Sequence, residues 1–323
     1  MKKILILFGG NSYEHEISCK SAKTIINHID KKKYQVEIVG IDLKNDWYIL
    51  NDKEKLNNNW KESNITKIDN IPKYLKQFDK VFPIIHGNPL ENGNLQGLFN
   101  LFNISYVGSD LLGSIISYDK ELTKIICNHY HIPQIPYITI HRKNKLKKID
   151  LDFPVIVKPA KCGSSIGINI ANNIKELNKN IQEAFNYDDK VIIEKYIKAR
   201  ELECAVLEDK KLKVSPIGEI KTENNFYDYD SKYIKESKLI IPANLEDNLI
   251  KEIKNLSLKI FNILSLKGLA RIDFLYDYHN HKLYFNEVNT MPGFTNISMY
   301  PLLFNNKGIS TKELITKLIE NWQ

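Results

Sequence analysis

Three segments carry residues whose types and spacing suit chemistry. The first is ARIDFLYD…YFNEVNTMPG, towards the C-terminal end. Asp273 falls in one apolar run, Glu287 in the next, and Asn289 two residues further on. Alternation along a strand puts Glu287 and Asn289 on the same face. Hard oxygen donors converging from adjacent strands suit Mg²⁺, which takes few protein ligands and completes its shell with phosphates and water. Arg271, two residues before Asp273, shares that face and adds a cation. The same residues would also serve as a buried ion pair, Arg271 with Asp273, holding two strands together.

The second segment is FPVIVKPAKCGSSIG. Lys158 ends a strand, and a small polar loop with Gly163, Ser164, Ser165 and Gly167 follows. Backbone N–H groups of such a loop can surround phosphate oxygens, with the lysine as a point charge. The Walker spacing is absent, and an ordinary Gly/Ser hairpin turn gives the same pattern. The third segment is VIIEKYIKARELE. A strand ending in Glu194, Lys195, Tyr196 and Ile197 supplies backbone donors and acceptors and an apolar wall, as the edge of an adenine needs. Glu201 could accept from ribose hydroxyls. An ordinary edge strand is the alternative.

Elements must position these groups. Ile4 to Phe8 reads as a buried strand, followed by a Gly9-Gly10-Asn11 turn and a helix from Ser12 to Asn27. Further strands run over Tyr34 to Asp42 and Val81 to Ile85. Strands alternating with helices imply a parallel sheet with ligands at the strands' carboxyl ends, where Glu14 and His86 fall. Residues 51 to 75 read as a surface excursion. A helix from Asp119 to Tyr130 precedes strands at Val155 to Lys158 and Ile166 to Ile170, a helix at Ile174 to Phe185 and a strand at Lys190 to Glu194. The last third has strands near Leu202 to Leu207 and Lys213 to Ile220 and a polar stretch over 222–237. A helix from Leu245 to Leu264 follows, then strands at Leu269 to Tyr276 and Leu283 to Val288. A loop as long as 222–237 inside a compact domain is usually functional.

Composition sets limits. With 323 residues there is room for two or three packed lobes. The net charge of +7 is spread along the chain without like-charge runs, so a nucleic-acid partner is not expected, while anionic substrates are. The apolar stretch after MKK is too short for a signal peptide, and nothing approaches a membrane span. Cys19, Cys127, Cys162 and Cys204 lack CxxC spacing and read as reduced thiols of a cytoplasmic protein.

Together and in this order, these segments resemble the ATP-grasp fold. The resemblance to D-alanine–D-alanine ligases extends over nearly the whole chain, through LFGGNSYEHEIS, VFPIIHGNPLENGNLQG, YVGSD…SYDKELTK, FPVIVKPAKCGSSIG, NFYDYDSKY, IIPANL and GLARIDFLYD…NEVNTMPGFTNISMYP. It implies an α/β parallel-sheet domain over residues 1–106, then a two-lobed α+β ATP-grasp fold with a central lobe at 107–195 and a C-terminal lobe at 196–323. It implies that ATP phosphorylates one D-alanine, whose acyl phosphate is attacked by the amine of a second. Lys120 and Lys158 would bind ATP phosphates under the loop at Gly163, Ser164 and Ser165. Glu194, Lys195, Ile197 and Glu201 would hold adenine and ribose. Asp273, Glu287 and Asn289 would bind two Mg²⁺ ions, with Mn²⁺ able to substitute. Glu14 would pair with the first substrate's ammonium, with His86 close by. Arg271 and the Gly293 N–H would stabilise the oxyanion. Ser298 and Met299 would take the second substrate's carboxylate. Tyr233 and Ser164 would complete a triad with Glu14, with Tyr233 and Lys232 carried on the 222–237 loop, whose closure excludes water. A homodimer is expected from the family.

The chain departs from the family's HG-x-x-GEDG pattern, with Leu90 in place of a glycine and Asn92 in place of an aspartate, which bears on the local turn. His15 and Glu16 read as solvated helix-face groups. Cys162, near Lys158 and Lys161, is expected to favour thiolate and to be protected from alkylation by Mg-ATP, or else to be an inert small residue. The competing activities are D-alanine–D-serine and D-alanine–D-lactate ligation of the vancomycin-resistance type, and the YDYDSKY loop argues against the lactate one. A non-catalytic nucleotide-binding protein is a further alternative, opposed by the complete set Arg271, Asp273, Glu287 and Asn289.

Overall fold

The run Ile4–Phe8 is fully buried, which suits a central parallel strand covered on both faces. The computed structural model describes residues 1–52, 56–144, 150–221 and 238–321. The N-terminal part comprises β1 (Lys2–Gly9), α1 (His15–His28), β2 (Tyr34–Ile41), β3 (Trp47–Leu50), β4 (Ile65–Lys67), α2 (Ile71–Leu75), β5 (Lys80–Pro83) and α3 (Asn94–Leu101). Its sheet has the order β4-β3-β2-β1-β5. The pairs β1–β2 and β1–β5 are parallel, while β3 and β4 add an antiparallel edge. The segment 51–75 is therefore more than a surface excursion. Trp60 and Leu75 are buried, and the Trp60 ring meets Phe8 edge-on at 5.2 Å. Its Nε1 donates to His15 Nε2 at 3.2 Å, so His15 is a partner of the core rather than a solvated group.

The middle of the chain forms α4 (Leu111–Tyr118), α5 (Lys120–His129), β6 (Tyr137–His141), β7 (Val155–Pro159), β8 (Asn169–Ala171), α6 (Ile174–Ala184) and β9 (Lys190–Lys195). The four strands make an antiparallel sheet in the order β6-β9-β7-β8. Val155, Val157, Leu177, Ile181 and Ile193 form a core of their own beneath α6. β8 begins later than the expected Ile166. Ser164, Ser165 and Gly167 have φ of 51°, 58° and 70°, a left-handed turn that interrupts extended backbone.

The remainder forms β10 (Arg200–Glu208), β11 (Leu212–Lys221), β12 (Lys238–Ile240), α7 (Asp247–Ile263), β13 (Leu269–Asp277), β14 (Lys282–Asn289), α8 (Met299–Asn306) and α9 (Thr311–Glu320). The strand order is β12-β11-β10-β13-β14, all antiparallel. The last two helices, unforeseen in the sequence, pack Leu303, Phe304, Leu314, Ile315 and Leu318 into the N-terminal core. The expected architecture, a parallel-sheet domain followed by two α+β lobes, is the one the chain adopts. No helix among the described residues is long and apolar enough to cross a membrane.

Candidate active site

The turn after β1 delivers Glu14 to the start of α1. Ser12 Oγ donates to the His86 carbonyl at 2.6 Å and accepts from Glu14 N–H at 3.2 Å, joining the loops after β1 and β5. Across the cavity, Ser164 Oγ donates to Glu14 Oε1 at 2.5 Å. Gly163 allows that approach, since a Cβ there would stand 2.8 Å from Glu14 Oε2. Two members of the expected triad thus meet, while Tyr233 and Lys232 lie outside the described residues.

His86 is buried, with Nδ1 2.9 Å from the Met291 carbonyl and Nε2 3.2 Å from Ser21 Oγ. Ser21 Oγ also accepts from Phe294 N–H at 3.1 Å. These bonds suit a neutral ring carrying its proton on Nδ1, and burial pushes the His86 pKa down. Leu90 leaves the turn intact. Glu91 N–H donates to Gly87 O at 2.8 Å, and Gly87 N–H donates to Glu91 Oε2 at 2.7 Å. Glu91 is half-buried in the cavity wall, and loss of solvent together with the Glu14 charge raises its carboxyl to about 7.

On the facing sheet, Glu203, Asp273 and Glu287 are register partners across β10, β13 and β14, and Arg271 faces Asn289. Arg271 Nε and Nη2 bond both oxygens of Asp273 at 2.8 and 2.7 Å, and Nε lies 2.9 Å from Glu203 Oε2. The Arg271–Asp273 pair weighed in the sequence is therefore formed, but within β13 rather than between two strands; Arg271 reaches the neighbouring strand through Glu203. Asn289 Nδ2 donates to Asp273 Oδ2 at 2.9 Å, leaving the amide oxygen to face elsewhere. Glu203 is a member that sequence reasoning missed. Its signal was present in the alternation Glu201-Leu202-Glu203, which puts both carboxylates on one strand face.

Lys120 opens α5, capped by Asp119, whose carboxylate accepts from the N–H groups of Glu121 and Leu122. Its Nζ donates to the Cys162 carbonyl at 2.7 Å and lies 3.8 Å from Glu287 Oε2, spanning the Gly/Ser loop and the acidic row. The Cys162 thiol is pushed up by burial, against the pull of Lys120, so the expected preference for thiolate is reversed.

These groups line one cavity of about 550 Å³. Glu14, His86, Lys120, Gly163, Ser164, Arg271, Glu287, Asn289, Gly293, Ser298 and Met299 all face it, as do Glu91, Tyr118 and Glu203. At its far wall a Cβ on Gly293 would stand 2.7 Å from Ser298 Oγ, so the loop after β14 closes tightly. Lys158, Ser165, Glu194, Lys195, Ile197, Glu201 and Asp273 do not line it. Lys158 and Glu194 form their own buried pair, Nζ to Oε2 at 2.6 Å. Lys195 is exposed beside Asp152.

Comparison with known proteins places the chain in a family. The family model for the D-ala D-ala ligase N-terminus matches residues 3–109, and that for the D-ala D-ala ligase C-terminus matches 126–320. The D-alanine--D-alanine ligase of Clostridium acetobutylicum is 40% identical, covering 99% of this chain and 97% of its own. That of Prochlorococcus marinus is 39% identical, with 99% of each covered. Among solved structures, the VanG D-Ala:D-Ser ligase of Enterococcus faecalis superposes with a TM-score of 0.88 at 34% identity, covering 98% of both chains. The D-alanine--D-alanine ligase of Bacillus anthracis complexed with ATP gives 0.79 at 28% identity, covering 99% of this chain and 97% of that one. Matched along its length by both halves of the family model and by these relatives, the chain belongs to the D-alanine–D-alanine ligase family.

Proposed function

We infer that the protein is an ATP-dependent ligase that joins two D-alanine molecules to D-alanyl-D-alanine, releasing ADP and phosphate, for peptidoglycan precursor synthesis. The observation that carries this reading is the Glu14–Ser164 contact, which brings the N-terminal domain and the Gly/Ser loop onto one cavity opposite Arg271 and Gly293.

In this reading Glu14 receives the ammonium of the first D-alanine, and Ser164 holds Glu14 in place. Lys120 and Lys158 take ATP phosphates, covered by the loop at Gly163–Ser165. Glu194, Lys195, Ile197 and Glu201 hold adenine and ribose. The first substrate's carboxylate attacks the γ-phosphate, giving D-alanyl phosphate. The second substrate's carboxylate rests on the N–H groups of Ser298 and Met299, with Lys232. Its amine adds to the acyl carbon, Arg271 and the Gly293 N–H stabilise the oxyanion, and phosphate leaves. His86, with both ring nitrogens bonded to protein, serves by fixing Met291 and Ser21 beside the site. Tyr233, outside the described residues, would be the third member of the triad that the family resemblance implies.

Asp273, Glu287 and Asn289 offer two carboxylates and an amide oxygen from adjacent strands. This donor set suits hard cations that draw their other ligands from phosphates and water. Two Mg²⁺ ions, or Mn²⁺ in their place, would neutralise the charge of the transferring phosphoryl group when bound.

The division at 1–106, 107–195 and 196–323, a cytoplasmic location and a homodimer belong to the same reading. Leu101, Leu112 and Ile115, exposed around α3 and α4, offer an apolar face for a second copy. One observation favours D-serine as second substrate instead, the overlay on the VanG enzyme. Incubation of the purified protein with Mg-ATP and D-alanine, D-serine or both decides between them. ADP release with D-alanyl-D-alanine by mass supports the inference, and D-alanyl-D-serine as main product would replace it.

A further inference from the structure

Lys124 sits one helical turn beyond Lys120 on α5, with its side chain 2% exposed, and has no part in the mechanism above. Its Nζ lies 2.5 Å from Glu194 Oε1, while Lys158 Nζ lies 2.6 Å from Glu194 Oε2. One carboxylate therefore bridges two ammonium groups. The sheet sets this geometry. Glu194 on β9 has Tyr137 of β6 on one side and Ile156 of β7 on the other. Lys158, two residues beyond Ile156, shares its face and reaches Glu194 diagonally. The Tyr137 ring, with its centroid 4.9 Å from Lys124 Nζ, gives the buried ammonium a second favourable contact.

We propose that Lys124 is a positioning residue for nucleotide binding, holding Glu194 charge-balanced so that Lys158 can leave it for the phosphates of ATP. The proposal rests on the assignment of Lys158 to those phosphates.

Glu194 and ATP are rival anions for the Lys158 ammonium. Were Lys158 its sole partner, its departure would strand a carboxylate in a dry interior, a strongly unfavourable step. With Lys124 in place, the departure leaves a neutral pair instead. Burial pulls the Lys124 pKa down and the Glu194 carboxylate opposes that pull; with both lysines charged against one carboxylate, the triad has one positive charge to spare, and Lys158 delivers it. Burial opposes ionisation of Glu194, yet Lys124 and Lys158 hold its carboxyl down at about 2, so it stays ionised across the working pH range.

The test is calorimetric binding of Mg-ADP and of a non-hydrolysable ATP analogue to the full-length protein. Lys124→Met should weaken nucleotide binding on the order of tenfold, because Glu194 then retains Lys158, and should leave the KM for D-alanine unchanged. In the Glu194→Gln background the same substitution should have no further effect, since no carboxylate competes for Lys158. Wild-type affinity in Lys124→Met, or an equal loss in both backgrounds, overturns the proposal. Should Lys124→Met fail to fold, Glu194→Gln and the double variant still decide, because the double variant removes the buried pair as a unit. Equal affinity supports the proposal, and a further tenfold loss overturns it. Lys158→Met separates the two levels. Wild-type nucleotide affinity there would remove the phosphate role of Lys158 and this proposal with it.

Discussion

Ser164 Oγ and Glu14 Oε1 stand 2.5 Å apart although 150 residues separate them in sequence. The bond ties the N-terminal domain to the Gly/Ser loop, so the proposed ammonium site and the proposed phosphate loop are fixed together. A hydrogen bond to a charged group contributes about 1.5–3 kcal/mol. Ser164→Ala should therefore lower kcat/KM for D-alanine roughly tenfold to a hundredfold. Glu14→Gln should do at least as much, and the double variant little more than the worse single one. Steady-state kinetics over this cycle measures the coupling, and additive losses would mean that the two groups act separately.

Glu287 ends the acidic row on β14 and lies 3.8 Å from Lys120 Nζ. Its side chain is 26% exposed and forms part of the cavity wall. Glu287→Gln should thus fold normally, lose ADP formation and lose Mn²⁺ binding followed by electron paramagnetic resonance. Near-normal turnover would take Glu287 out of the metal set.

The central strands, the Gly/Ser loop and the pairing of Asp273 with Glu287 were legible because local pattern decides them. An apolar run such as Ile4–Phe8 has few alternatives, and a Lys followed by Gly-Ser-Ser needs only short-range geometry. What stayed hidden depends on distant partners. Trp60 lies in a polar stretch and is buried only because Phe8 and His15 receive it. Glu203 becomes a site residue through its register with Asp273, a pairing that sequence alternation suggests but does not fix. Lys124 reads as an ordinary helix lysine until Glu194 is placed beside it. The departure at Leu90 bore on the turn, yet backbone bonds to Gly87 and the Glu91 side chain rebuild it without a glycine.

Cys162 gives a reversal that can be measured. Burial raises its thiol above the ordinary value and outweighs Lys120. Only the thiolate alkylates. Iodoacetamide at neutral pH should therefore label Cys162 more slowly in the folded protein than in denaturant, with the rate rising towards alkaline pH. Peptide mass mapping follows both, and fast labelling of the folded chain at neutral pH would restore the thiolate.

Glu91 should leave a mark on stability against pH. Its folded-state carboxyl titrates at about 7 against an ordinary 4.5. Between those values the folded state binds more protons than the unfolded one. Stability therefore falls as pH rises from about 4.5 to about 7 and then levels, by at most about 3 kcal/mol. Glu91→Gln has no proton to lose, so its melting temperature should gain on the wild type across that window and hold the lead above it. Parallel melting curves for the two proteins would show that Glu91 ionises normally.

Arg271 has two possible contributions, and one variant separates them. It grips both oxygens of Asp273 and lies 2.9 Å from Glu203, so it could act only by shaping the acidic row. It also faces the cavity opposite Gly293, where the oxyanion of the second step would form. Lysine keeps the charge but loses the planar fork that spans two carboxylates. If the oxyanion role holds, Arg271→Lys still forms D-alanyl phosphate, which water then hydrolyses. ADP release would continue, dipeptide formation would drop by roughly 10²–10³, and the ratio of dipeptide to ADP would fall well below one. Hydroxylamine should trap the accumulated acyl phosphate as D-alanine hydroxamate. If Arg271 acts only through Asp273, the metal site is disturbed before phosphoryl transfer. Both products then fall together, their ratio stays near one, and hydroxylamine traps nothing. Quantifying ADP, dipeptide and hydroxamate in one reaction distinguishes the outcomes, and a preserved ratio would remove Arg271 from the oxyanion site.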